Sequence, residues 1–140
     1  MAYGIHVMEE HAFNWVAWAN SAGLPFGWPD FYITNTVVMI LGISVSAVGW
    51  KAPIYALSLP GLMIVNALFF HIGISSVQGR LNPGCLSAMF LFLPLAWACF
   101  RGAHRDGVLN TKIIVLAILL GAAWQASPLI FSALAPMLSY

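Results

Sequence analysis

Four stretches of nearly unbroken apolar sequence organise the chain, with short polar connections between them. They run from Phe31 to Trp50, from Ala52 to Ser76, from Cys85 to Phe100 and from Lys112 to about Leu138. A bilayer crossing takes about 20 residues, so each stretch predicts a spanning helix. Pro53 falls in the first turn of the second, where proline is tolerated. The third is short, with Pro94 predicting a kink, and Pro128 and Pro136 are expected to bend or end the fourth. The connections are Lys51, the segment Gln78 to Gly84, and Arg101 to Thr111. Nothing alternates with period two over barrel-strand lengths, and no repeat or linker divides the chain. The expected fold is all-α, a single membrane-embedded helical bundle of four transmembrane helices.

A fifth segment, Ala2 to Ala22, breaks the pattern. It is helical in character and rich in Trp and Phe, yet it carries His6, Glu9, Glu10, His11 and Asn14. Acidic side chains at membrane depth are costly unless partnered or turned to a polar cavity. One reading is an interfacial amphipathic helix anchored by Trp15 and Trp18, with its acids in water. The sharper reading turns the acids into the bundle at a functional site. The segment reads as a short helix closing over the bundle or as a fifth span.

Composition removes the soluble alternatives. Of 140 residues, 61% are hydrophobic and 6% charged, with a mean hydropathy of +0.90, against about 25% charged residues in soluble domains. A net charge of +1 without aromatic–basic interleaving gives no nucleic-acid signal. Cys85 and Cys99 are about 21 Å apart on one helix, too far for a disulfide. The first residues lack a basic region and Glu9 and Glu10 interrupt the apolar run, so no cleavable signal peptide is expected. Lys51, Arg101, Arg105 and Lys112 fall on one side of the four crossings and Arg80 on the other. The positive-inside rule places the first group in the cytoplasm and the Arg80 loop and C-terminus outside.

Several polar residues meet at one depth. Asn35 and His71 both lie about 6–8 Å below the outer boundary, and Asn66 about one and a half turns deeper. The helix with His6, Glu9 and Glu10 connects to that same boundary. Glu9 and Glu10 follow His6 by three and four residues, so both neighbour it on the helix surface, whereas His11 points away. His6, His71 and one glutamate match the two-histidine, one-carboxylate sets of zinc hydrolases and non-haem iron enzymes. Glu10 is taken here as the ligand, and the second glutamate is then free as a general base. A metal-free alternative is a desolvated glutamate exchanging protons with His71. A third is a buried polar network that only joins helices, a poor return at about 0.6 kcal/mol per contact. Gln125 is expected to hydrogen-bond across helices, Gly42 and Ser46 to form a packing face, His104 to be solvated, and the tryptophans to act as interfacial anchors.

These residues resemble a known family, the HXXEE-domain membrane proteins of bacteria. The motif stands here as His6-Val7-Met8-Glu9-Glu10. The resemblance continues through Trp18, Phe31 and Asn35, Asn66 to His71, and Asn82-Pro83-Gly84. It implies little about activity, since the family is largely unassigned, but His6, Glu9, Glu10, Asn66 and His71 correspond to its polar landmarks. Only Met1 to Ile5 precede the motif here, fewer apolar residues than is usual in the family, which favours a short helix tucked into the outer half.

The expected function is a membrane-embedded enzyme, sited in a bacterial inner membrane, that hydrolyses, isomerises or cyclises a lipophilic small molecule entering from the surrounding lipids. His6, Glu10 and His71 are the expected ligands of a divalent metal, zinc in preference to iron. Glu9 and Glu10 are expected to handle protons, and Asn35 and Asn66 to orient ligands or substrate. The rival classes are a proton-coupled transporter, which in so small a bundle would need a homo-oligomer, and a structural accessory subunit.

Overall fold

The computed structural model describes the backbone of residues 1–138 and the side chains of residues 1–128. Six helical elements follow in order: α1 Ala2–Ala12, α2 Trp15–Ser21, α3 Trp28–Lys51, α4 Pro53–Gln78, α5 Cys85–Arg105 and α6 Thr111–Leu138. There is no strand among the described residues. Helices α3 to α6 are each long and apolar enough to cross a membrane, as the four apolar stretches predict. At 11 residues, α1 is about 16 Å long and too short to span. Asn14 ends it by adopting a left-handed conformation (φ 54°), and its side chain accepts a hydrogen bond from the Ala17 N–H to start α2. The first segment is therefore two short helices rather than a fifth crossing.

The third crossing is longer than its apolar run. Arg101, His104 and Arg105 continue α5 as its exposed final turns. Arg101 lies over the Trp97 ring at 4.9 Å, a charge carried on an aromatic surface. His104 is in this helix rather than in a loop, and the connection shrinks to Asp106–Asn110. The last helix also runs through Pro128 and Pro136 instead of ending at either. The C-terminal residues Ser139 and Tyr140, expected to face outward, lie outside the described residues.

Helix α4 sits at the centre. Glycines bring it against α6: a Cβ on Gly61 would come within 2.6 Å of the Ala117 carbonyl oxygen. Ala117 and Gly121 form the small-xxx-small face that this approach requires. On α3, Gly42 packs closely on Leu59, where an added Cβ would stand 3.3 Å from Leu59 Cδ2, whereas Ser46 is exposed and bonds its own helix. Trp50 Nε1 donates to Asp106 at 2.7 Å, which places the basic ends of α3, α5 and α6 together. The two cysteines are free, as expected.

Two stretches widen into π-helix, Asn66–Gly73 in α4 and Ala88–Phe92 in α5. The second precedes Pro94, whose missing N–H and ring disturb the preceding turn. Both flank the polar end of the bundle.

Candidate metal centre and cavity

Helix α1 presents Tyr3, His6 and Glu10, spaced three and four residues apart, on one face. His6, Glu10 and His71 are 1%, 6% and 2% exposed. Their ligand atoms all lie within 4.8 Å of one another. His6 Nε2 is 3.5 Å and His71 Nε2 3.7 Å from the same oxygen, Glu10 Oε1. A tetrahedral ion about 2.0–2.2 Å from each ligand sets neighbouring ligand atoms about 3.3–3.6 Å apart, and the two histidine–glutamate spacings lie close to that range.

The surrounding hydrogen bonds decide where the imidazole protons sit. Asn82 Nδ2 donates to the Phe70 carbonyl at 2.7 Å, which turns Asn82 Oδ1 toward His71 Nδ1 at 3.0 Å. Asn82 itself is fixed by its backbone N–H donating to Ser75 Oγ. His71 therefore carries its proton on Nδ1 and keeps a lone pair on Nε2. Ser87 does the same for His6: its hydroxyl donates to the Gly84 carbonyl at 3.2 Å and accepts from His6 Nδ1 at 2.8 Å. His6 Nε2 is then buried with no hydrogen-bond partner among the described residues. Two lone pairs and one carboxylate oxygen face each other, an arrangement that repels unless a cation or a proton lies between them. Outer partners that orient the ring in this way typify histidine metal ligands.

Gly84 closes the site from below. Its φ is +89°, and a Cβ would stand 2.6 Å from His71 Cε1, 2.8 Å from Glu10 Cγ and 2.9 Å from His6 Cε1. Only glycine both takes this conformation and lets three side chains converge. The Asn82-Pro83-Gly84 turn thus supplies one orienting amide and the floor.

Glu9 is placed elsewhere. Its two oxygens accept from the backbone N–H groups of Leu86, at 3.1 Å, and Ser87, at 2.7 Å, capping the first turn of α5. Burial pushes its carboxyl up, but the hydrogen bonds from Ser87 and Leu86, with His6 nearby, hold it below the ordinary carboxylate range. Burial, with the neighbouring Glu9 charge, pushes the Glu10 carboxyl up against the pull of His6. His11, as expected, stays outside and packs on Trp28 and Tyr32.

A cavity of about 230 Å³ opens beside the His–Glu–His group. Asn35 and Asn66 both line it. Asn35 Oδ1 accepts from the Tyr3 hydroxyl at 2.6 Å, and Asn66 Nδ2 donates to Gln125 across to α6 at 3.4 Å. In an α-helix, residues five apart are about 140° out of phase. The wider π-turn brings Asn66 and His71 toward one face, and such turns are frequent at functional sites. Trp15 and Trp18 also line the cavity, Trp15 packed on Phe26 and Phe31, so they roof it rather than serve only as anchors. Along the bundle's flank, between α3, α4 and α5, runs a broader groove of about 890 Å³. Tyr3 and Val38 line both spaces. Tyr3 was not singled out by the sequence, although its three-residue spacing from His6 was a signal. Ser87 and Trp124 gave none.

No curated protein and no solved structure matches the chain. The family model described as "Protein of unknown function with HXXEE motif" matches residues 1–99, a span that holds the three converging side chains, their partners Asn82 and Ser87, and Gly84. The chain belongs to the HXXEE family.

Proposed function

We propose that the protein is a membrane-embedded enzyme that hydrolyses, isomerises or cyclises a lipophilic small molecule at a divalent metal held by His6, Glu10 and His71. One observation carries this reading: two imidazole Nε2 lone pairs, each fixed by a partner on Nδ1, converge on a single buried carboxylate oxygen. Three protein ligands leave a tetrahedral ion one open position, and such an ion supplies Lewis-acid polarisation and water activation. Zinc and iron both take this donor set, and zinc is the ion proposed. Ser87 and Asn82 hold the rings, Gly84 gives them room, and Tyr3 and Val38 line both groove and cavity. The groove offers a lipophilic molecule a route from the lipid to the site. The excess of basic residues at the opposite end supports a cytoplasmic orientation for that end and a site near the outer face.

The test is elemental analysis of detergent-purified protein beside His71→Ala. About one zinc or iron per chain, absent from the variant, supports the metal centre. Folded protein that takes up no metal even when dialysed against zinc sinks it. A second reading then stands, favoured by the upward push on the Glu10 carboxyl: Glu10 as a proton-carrying acid paired with His71, working without metal.

A further inference from the structure

The far end of the cavity has a chemistry of its own, and we propose that it is a hydroxyl-recognition subsite formed by Asn66 and Trp124. The substrate is accordingly a compact, mostly hydrocarbon molecule bearing an alcohol or phenol group away from its reacting atom. This rests on the reading of the cavity as a substrate site.

Asn66 is 8% exposed. Its Nδ2 donates to Gln125, and its Oδ1 is buried with no hydrogen-bond partner among the described residues. Trp124 Nε1 is buried and unpartnered in the same way. The two residues come from α4 and α6, and both line the cavity. One lacks a donor and the other an acceptor. A hydroxyl is the smallest group that supplies both at once. A ketone or carboxylate answers only Trp124, an ammonium only Asn66, and a hydrocarbon neither. Around them the lining is apolar, with Phe31, Val38, Leu62 and Phe70.

Size narrows the class further. The cavity of about 230 Å³ is below the roughly 300–1,000 Å³ of sites for drug-sized ligands and above the roughly 150 Å³ that admits benzene. One ring or a short branched chain with a hydroxyl fits. Asn66 lies five residues, about one turn of the widened helix, from His71, so the hydroxyl sits several bonds from the atom presented to His6, Glu10 and His71.

The test compares p-cresol with p-xylene, two probes of one size that differ by a hydroxyl. Each is titrated into the detergent-solubilised full chain with isotope-labelled indole nitrogens, and free concentrations are corrected for uptake by detergent. The Trp124 signal is identified as the one missing in Trp124→Phe. Expected are a saturable shift of the Trp124 indole N–H with p-cresol, at least about tenfold tighter binding than p-xylene, and about a tenfold loss of p-cresol affinity in Asn66→Leu. Equal affinities for the two probes in the unmodified chain overturn the subsite, and that arm needs no variant to fold. A p-cresol shift confined to Trp15 and Trp18 also overturns it. Repeating the titration on His71→Ala separates the two readings. A hydroxyl preference kept there, in protein that binds no metal, supports the subsite even where the metal centre fails. Stoichiometric metal with no hydroxyl preference rejects the subsite and leaves the metal centre standing.

Discussion

At the basic end of the bundle, Leu57, Ala103 and Ala117 are buried in one cluster with Phe100, Val108 and Ile113 against them, and α4 and α6 touch backbone to backbone at Gly61. At the other end, His6, Glu10 and His71 and three asparagines, Asn35, Asn66 and Asn82, occupy the interior, with His6 Nε2 and Asn66 Oδ1 unanswered. The first arrangement is what packing requires in lipid, where close contact of small residues joins helices. The second leaves buried polar atoms unpaired, each at a cost of about 1–3 kcal/mol, and packing gains nothing from it. Among the described residues the unpaired buried atoms gather at this end, which supports the proposal that it carries the chemistry.

The contrast can be broken most directly at Gly84. Gly84→Ala forces a Cβ among His6, Glu10 and His71 at a positive φ, so the folded protein should lose metal by more than about 100-fold in affinity. Helical content by circular dichroism should persist, because the basic end is untouched. Unchanged metal stoichiometry would remove Gly84 from the site.

Next in size are the orienting partners. Asn82→Leu and Ser87→Ala should each weaken metal binding by about 10- to 100-fold, read by competition with a chelating dye. Because both imidazoles and the carboxylate must be deprotonated to bind, affinity should fall as pH is lowered, with protons released on binding. A pH-independent affinity would contradict this ligand set.

Gly61→Val tests the other end. Overpacking against Ala117 should cost about 1–3 kcal/mol, seen as a lower Tm, while the protein that remains folded keeps its metal. Loss of metal without loss of stability would dissolve the division between the two ends.

The smallest effect is assigned to Glu9. As a cap on α5, Glu9→Gln should cost about 1 kcal/mol of stability and leave metal content unchanged. Turnover abolished at full metal content would instead return Glu9 to the role of base that the sequence suggested for it.

The four crossings were legible because lipid demands long apolar runs, and hydropathy records that demand residue by residue. Helix ends were less so: the arginines that appear to close α5 in sequence extend it, since long basic side chains reach out of the apolar layer while their backbone stays helical. His6, Glu10, His71 and Asn35 were legible as costly residues near one depth, with Asn66 about one and a half turns deeper. Which glutamate turns inward was not, because Glu9 and Glu10 are equally close neighbours of His6 along the helix. The N-terminal turn of α5, remote in sequence, claims one of them.

The sequence by itself determined a four-helix membrane bundle and the polar residues gathered toward one end of it, through local pattern and the cost of burying charge. The tertiary structure decided the rest. It set the Nδ1 partners that aim two imidazoles, the π-turn that turns Asn66 to the face of His71, and the bare Gly84 floor. It also brought Trp124 from the last helix to the cavity that Asn66 lines. Each depends on atoms distant in sequence meeting within a few ångströms, and no local periodicity carries that information.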